Sequence, residues 1–423
     1  MKGNIAVFAG KIAAKISRAT GRGNGGMIGG KIAMALDKKI MAKLASGKKV
    51  VLVTGTNGKS TTTKMVCAAL KTKGKVATND LGDNMYAGVV SAMMNDIDSE
   101  YVVLEVDELH LETVARETNP AAIILLNLTA DQLDRVGEVS LIEKKVRAGV
   151  NVAKNAFVVA NCDDPMVSSA AWDNKDNIWC ACATNNFNTC LKFSRTNGFV
   201  KYIDNNWVAI ADNGEISDFA RPKPDWYYDE TGVLCGPDGI KTSLNLKLPG
   251  IANRMNAMQA IACATRLGVA VDEAVKAVES VDNVAGRYAI ADIEGRLVHM
   301  LLAKNPAGWS QAISMIAPDA KNIVIGVNGM VGDGVDLSWI WDIDFSILAS
   351  KVNDDCECKI YATGKRCADL SVLLSYLGIK HEMLEDPVEA ILKCPTGPVE
   401  LLANYTSFHD VKHVIASRGY KYL

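Results

Sequence analysis

The chain runs to 423 residues, is 49% hydrophobic and 22% charged, and sets 46 Lys or Arg against 48 Asp or Glu for a formal net charge of -2. That length predicts two or three domains at about 150 residues each. The composition excludes an intrinsically disordered or collagen-like chain, and the balanced charge excludes a global basic field for nucleic acid.

The opening segment, MKGNIAVFAGKIAAKISRATGRG, carries Lys2, Lys11, Lys15, Arg18 and Arg22 and no acid. Lys11 and Lys15 interrupt the clean apolar stretch that a signal peptide would need. Ile5, Phe8, Ile12 and Ile16 recur at helical spacing, which predicts an amphipathic basic helix. We expect that helix to pack on the main body. Contact with an anionic membrane surface is the sharper alternative. Apolar runs everywhere stop short of the ~18 residues that a transmembrane helix needs, and the chain is expected in the cytoplasm, with at most peripheral membrane contact.

From Lys48 short apolar runs alternate with helical patterns. KKVVLVTG, YVVLEVDE, AAIILLNLT and NAFVVANCDD read as strands and TTTKMVCAALKTKG as a helix. This alternation predicts a parallel α/β sheet. Between about Trp172 and Leu244 polar and aromatic residues and short strand signals (FVKYI, NWVAIA, GVLCG) predict a small β-rich insertion. SLNLKLPGIANRMNAMQAIACATRLG returns to strand, turn and long helix. A second α/β pattern (HMLLAK, NIVIGVN, CKIYATG, VELLANY) follows from Arg287. The expected organisation is a basic helical segment over 1–45, an α/β ATP-binding domain over 46–285 with the insertion at about 172–244, and a C-terminal α/β domain over 286–423.

The strongest local motif is VLVTGTNGKSTTTKM. Gly55, Thr56, Asn57, Gly58, Lys59, Ser60 and Thr61 stand between a strand and a helix. Glycines let successive backbone N–H groups approach phosphate oxygens, and a helix N-terminus adds positive potential. Lys59 is expected to reach the β- and γ-phosphates, and the Ser60 or Thr61 hydroxyl to ligand Mg²⁺. The spacing is shorter than GxxxxGK[ST], which argues against ordinary GTPases and motor ATPases.

GTNGKSTT in this form resembles the signature of the Mur ligase superfamily, and the likeness extends along the chain. YVVLEVDELHL resembles that family's second motif, which implies Glu105 as the Mg²⁺ ligand, with Asp107 and Glu108 as second choices. LLNLTADQLDRVGE resembles the third motif through Asn127, Asp131, Asp134 and Arg135. Gln132 stands where many members have a metal-binding His. Lys144 and Lys145 lie near the place of a carbamylated lysine in many members, but a solvated helix face is the preferred reading. LPGIANRMNAMQA resembles the adenine site at Asn253 and Asn256, although Asn253 also suits a helix N-cap.

With the phosphate loop at residue 55, a uridine-nucleotide domain like that of typical Mur ligases is not expected before it. The later strings KNPAG, GVNGMVGDGVDLSWIWDIDF, YATGKRCADL and LLANYTSFHD resemble the MurT family, the Mur ligase-like subunits of lipid II isoglutaminyl synthase. The resemblance implies ATP-dependent amidation of the α-carboxylate of D-glutamate in the lipid II stem peptide, through an acyl phosphate. It implies Arg287 and Lys304 as catalytic-site residues. It also implies a heterodimer with a GatD-type glutamine amidotransferase subunit, whose Cys and His would be completed by Asp336 from this chain. A capping role for Asp336 at the LSWIWD helix is chemically compatible with that. Asp333, Asp342 and Asp344 are less favoured, and the five histidines read as structural. Two alternatives stay open: an amino-acid-adding ligase of the folylpolyglutamate or cyanophycin synthase type, and an ATP-binding scaffold subunit of an amidotransferase.

The chain has eleven cysteines. Reduced thiols are the expectation in the cytoplasm. Cys67 and Cys263 fall in helical apolar patterns and read as core residues. MurT proteins often carry a four-cysteine zinc ribbon in the insertion. Here Cys180, Cys182, Cys190 and Cys235 do not form the two close pairs that such a site needs, so the ribbon is read as degenerate and zinc-free.

Overall fold

The computed structural model describes residues 2–19, 27–79, 84–129, 139–182, 193–196, 198–203, 206–248, 250–281, 288–317, 319–330, 332–334, 336–349 and 358–423. They divide into two compact units, one from Met1–Thr129 with Val136–Asp282 and one from Asn283–Leu423.

The first unit is built on a nine-stranded sheet. Its strands are β1 (Lys49–Thr54), β2 (Val76–Thr78), β3 (Tyr101–Glu105), β4 (Ala122–Leu125), β5 (Phe157–Asn161), β6 (Asn177–Ala181), β10 (Trp226–Tyr228), β11 (Leu234–Cys235) and β12 (Lys241–Thr242). Between β6 and β10 come β7 (Phe199–Ile203), β8 (Asn206–Ile210) and β9 (Ile216–Ala220), which form a separate three-stranded antiparallel sheet. The large sheet runs β12-β11-β10-β6-β5-β4-β1-β3-β2. β1 is an interior strand, parallel to both β3 and β4. Its apolar run explains that place: Val50 to Val53 are fully buried, and each such side chain contributes about 1.5–3 kcal/mol by leaving water. From β1 the chain moves outward to β2, returns through β3, and crosses to β4 on the other side. Such a reversal of strand order opens a crevice at the carboxyl ends of the strands.

Within residues 172–244 the strands β6, β10, β11 and β12 join the main sheet, β6 pairing in parallel with β5 and with β10. Only β7 to β9 stand apart. Arg221, just after β9, ties that small sheet down by donating to Asp163 Oδ1 at 2.9 Å. Where the SLNLKL run predicts a strand, the structure has none. It carries no partner strand to satisfy its backbone, and strand formation needs one.

The N-terminal helix Lys2–Ala19 does pack on the body, with Val7 against the core, but not through its isoleucines or Phe8. Its small face does so. Ala6 and Gly10 are buried, and a Cβ on Gly10 would lie 2.6 Å from the Gly29 carbonyl in the helix Ile28–Leu36. Small residues allow the closest approach of two backbones. The stripe Ile5, Phe8, Ile12 and Ile16 is turned outward, at 62, 67, 43 and 57% exposure.

The second unit holds a seven-stranded sheet: β13 (Tyr288–Ile293), β14 (Arg296–Leu302), β15 (Asn322–Gly326), β16 (Lys359–Thr363), β17 (Glu382–Met383), β18 (Gly397–Ala403) and β19 (Lys421–Tyr422). Its order is β17-β16-β15-β18-β14-β13-β19. β14, β18, β15, β16 and β17 are parallel, and β13 and β19 add an antiparallel edge. Trp309, Phe345 and Phe408 fill its core. Among the described residues no helix is long and apolar enough to cross a membrane.

Candidate functional site

In the first unit the singled-out residues gather at the carboxyl ends of β1, β3 and β4. The loop after β1 places Gly55 at φ +136° and Gly58 at φ +90°. Both lie in the left-handed region that favours glycine. Each is also sterically confined: a Cβ on Gly55 would lie 2.9 Å from the Asn127 carbonyl, and one on Gly58 would lie 2.8 Å from Asn256 Oδ1. Asn127, from the loop after β4, fixes the loop's path. Its carbonyl accepts from Thr56 N at 2.8 Å, its Oδ1 accepts from Asn57 N at 3.0 Å, and its Nδ2 donates to the Asn57 carbonyl at 2.9 Å.

The helix Lys59–Leu70 starts directly at Gly58, with no side-chain cap and no acid in its first turn. Its first N–H groups and positive dipole end therefore stay available to an anion. Lys59 is buried and folds back over the loop. Its Nζ donates to the Gly55 carbonyl and, at 3.3 Å, to that of Thr56. It also faces both carboxylate oxygens of Glu108 at 3.4 Å. Burial pushes the Glu108 carboxyl up, with Lys59 pulling against it. Glu108 thus pairs with Lys59.

Ser60 Oγ donates to Glu105 Oε2 at 2.8 Å. Glu105 closes β3 and is 3% exposed. Asn79, at the end of β2, holds its backbone from both sides, donating to the Glu105 carbonyl and accepting from Glu105 N, each at 2.8 Å. Sequence reading missed Asn79; its only signal is its place just past a strand end. Two oxygen donors at the head of a phosphate loop fit a hard divalent cation that takes the rest of its shell from phosphate and water. Asp107 turns instead to its own loop, its Oδ1 accepting from Leu109 N at 3.0 Å. Asp131, Gln132, Asp134 and Arg135 lie outside the described residues. Lys144 and Lys145 are exposed on their helix.

Asn253 and Asn256 lie one turn apart on the helix Ile251–Arg266. That helix begins at Gly250, so Asn253 is inside its first turn and does not cap it. Asn256 is 5% exposed and reaches across Gly58. Its Nδ2 donates to Asn253 Oδ1 at 3.5 Å. Three residues on, Gln259 donates to the Leu125 carbonyl at 2.8 Å, which seats the helix on β4. Arg254 pins the helix start, its guanidinium stacked 4.2 Å over the Tyr228 ring.

In the second unit Lys304 follows β14 and is exposed, its Nζ 4.6 Å from the Tyr405 ring centroid. The turn after it is rigid: Asn305 Oδ1 caps the helix Pro306–Met315 by accepting from Gly308 N at 2.8 Å. Asp333 is 3% exposed and accepts from Thr406 N at 2.8 Å, so it is a structural cap for the NYTS segment. Asp336 is exposed. Its Oδ1 accepts from Ser338 N at 2.8 Å, and that bond holds its carboxyl below the usual carboxylate range. Arg287 lies outside the described residues.

Of the ribbon cysteines, Cys180 on β6 and Cys235 on β11 are buried with β10 between them. Cys190 lies outside the described residues. Among the described residues no group of three or more His, Cys, Asp or Glu is placed to hold a metal.

A model of the Mur ligase middle domain matches residues 53–264, and one of the MurT ligase C-terminal region matches 302–408. The chain is 28% identical to the lipid II isoglutaminyl synthase (glutamine-hydrolyzing) subunit MurT of Streptococcus pneumoniae, over 99% of this chain and 98% of that protein. The Staphylococcus aureus (strain COL) subunit of that name is 27% identical over 95% of each chain. The fold is similar to that of a pseudomurein peptide ligase type C from Methanothermus fervidus, with a TM-score of 0.70 at 18% identity, over 90% of this chain and 81% of that one. It is also similar to the MurF ligase of Thermotoga maritima in complex with ADP, with a TM-score of 0.60 at 16% identity, over 90% and 82%.

Proposed function

The chain belongs to the Mur ligase family, and from that premise we propose that it is the ATP-dependent amidating subunit of a lipid II isoglutaminyl synthase. The reading rests above all on one observation: the likeness to MurT subunits runs nearly end to end, through both the middle and the C-terminal regions. The MurF ligase shares the fold at 16% identity, whereas the MurT subunits are 27% and 28% identical over nearly the whole chain.

A carboxylate is a poor electrophile. The α-carboxylate of stem-peptide D-glutamate therefore attacks the γ-phosphorus of ATP, forming a C–O–P bond and releasing ADP. Ammonia then attacks the acyl carbon, a C–N bond forms, the C–O–P link breaks, and inorganic phosphate leaves with one proton lost from nitrogen. Positioning and charge neutralisation dominate such a transfer. The loop N–H groups from Gly55 to Thr61 and the Lys59 ammonium receive the phosphates, and Asn253 and Asn256 receive the adenine. Ser60 and Glu105 would hold Mg²⁺, which supplies charge neutralisation between the phosphates. Lys304 and Arg287 are assigned to the reacting carboxylate.

Ammonia comes from a GatD-type glutaminase subunit, and Asp336 orients that subunit's histidine; a triad carboxylate sets the tautomer and steadies the imidazolium. The reaction is set in the cytoplasm, at the inner face of the membrane where its lipid-linked substrate is met. The test is co-expression with a candidate glutaminase subunit and incubation with lipid II, ATP, Mg²⁺ and glutamine. The expected product is lipid II bearing D-isoglutamine, identified by mass spectrometry. ADP release without that product, coupled to another acceptor, overturns the reading.

A further inference from the structure

We propose that the helix Lys2–Ala19 is a peripheral membrane anchor that lays its outer face on an anionic bilayer. The helix is docked through Val7, which packs against the core, and through its small residues Ala6, Gly10 and Ala14, which are buried against the body. Its isoleucines and Phe8 are therefore left in water. At about 100° per residue, Ile5, Phe8, Ile12 and Ile16 fall within roughly 80° of the helix circumference. All four are exposed by 43% or more. In a helix stabilised only by packing on its own protein, the large residues would face inward and the small ones outward. Here the order is reversed.

Charge names the occupant. Lys11 and Lys15 are exposed beside the apolar stripe. The helix holds no acid, and the first 49 residues carry eleven Lys or Arg against one acid, Asp37, in a chain whose formal net charge is -2. An outward apolar stripe edged by lysines matches a surface with acyl chains under anionic headgroups. A second copy of this segment would bring like charges together, and an apolar protein groove would leave the lysines unanswered.

The anchor is independent of the amidation reading, so its test uses vesicles without lipid II. The full chain is sedimented with vesicles of equal parts phosphatidylcholine and phosphatidylglycerol, and with phosphatidylcholine alone. Binding to the anionic vesicles is expected to be at least about tenfold stronger, and to fall between about 0.1 M and 1 M salt as headgroup attraction is screened. Combined Ile5→Ser, Phe8→Ser and Ile12→Ser should lose about tenfold or more of that binding. The same variant should keep its thermal midpoint and its ATP binding, because these side chains touch solvent. Lys11→Gln with Lys15→Gln should lose the preference for anionic vesicles. Three results overturn the proposal: no vesicle binding, equal binding by wild type and the serine variant, or self-association of the wild type that the serine variant abolishes without any vesicle binding.

Discussion

Lys59 Nζ lies 3.4 Å from both carboxylate oxygens of Glu108, and both side chains are shielded from water. The lysine that should meet the phosphates is thus already neutralised by the protein. Incoming phosphate competes with Glu108 for the same ammonium. Burial already raises the Glu108 pKa, so the carboxyl takes up a proton at a higher pH than an ordinary glutamate. We expect Glu108→Gln to tighten nucleotide binding several-fold. Wild-type affinity should approach the variant's as pH falls through the Glu108 titration. Calorimetric Kd values for both proteins across pH check this. Lys59→Ala should cost at least about 10²-fold in amidation with either glutamine or ammonia, the scale for losing one charge-stabilising donor.

Gly58 and Asn256 are linked just as closely. A Cβ at Gly58 would sit 2.8 Å from Asn256 Oδ1, at a backbone φ of +90°. Gly58→Ala should therefore lose about 1–2 kcal/mol of stability from the left-handed backbone alone. It should also push Asn256 aside. The expected readout is ATP affinity at least tenfold weaker at a concentration where the variant remains folded.

Glu105 depends on Asn79 for its aim. Both amide atoms of the buried Asn79 bond the Glu105 backbone. Asn79→Ala leaves those groups unpaired, at a cost of about 1–3 kcal/mol. Its functional mark should be a raised Mg²⁺ requirement in the ammonia-driven reaction. Glu105→Ala should abolish that reaction at any Mg²⁺ concentration.

Much of this site is legible in the chain because its parts are local. The phosphate loop, the strand before it and the helix after it occupy consecutive residues, and the apolar runs of β1, β3, β4 and β5 each carry a strand signal by themselves. What the chain hid is relational. Glu108 reads as a spare metal ligand until the fold brings Lys59 beside it, 49 residues away. Strands as short as β2 and β12 have no pattern of their own and exist through their neighbours. The N-terminal helix shows its stripe in the sequence, but which face docks is decided by Gly10 meeting Gly29.

Asp164 gives the first unit a pH signature. It is buried and caps the helix Pro165–Ala171, accepting from Met166 N at 2.8 Å and Val167 N at 3.1 Å, while its other oxygen accepts from Leu128 N at 2.7 Å. Burial pushes its carboxyl up to about 6. A raised acid pKa means that the native state holds this proton more tightly than the unfolded chain. The group's contribution is therefore fullest below about pH 4 and declines as pH rises to about 6, by about 3 kcal/mol at 1.36 kcal/mol per pKa unit. Urea unfolding should find Asp164→Ala the weaker protein at pH 4, where it has lost a cap worth about 1 kcal/mol, and the difference should shrink and then reverse as pH rises to about 6.

Asp336 separates the two half-reactions. It is exposed, and its one bond of note runs to Ser338 N, within its own turn. That bond holds the carboxyl below the usual carboxylate range, so it stays ionised through neutral pH and can steady a partner's imidazolium. Asp333, three residues earlier, is locked against Thr406 and has no such freedom. We expect Asp336→Ala to lose glutamine-driven amidation by about 10³–10⁴-fold, the scale for a missing triad carboxylate. Amidation driven by ammonium salts should remain within about twofold of wild type, because acyl phosphate formation uses the other unit's loop. Asp336→Asn keeps an acceptor for Ser338 N but lacks the charge, so it should fail in the same way. Equal loss with both nitrogen sources would instead make Asp336 a structural cap and leave the histidine's orientation to the partner alone.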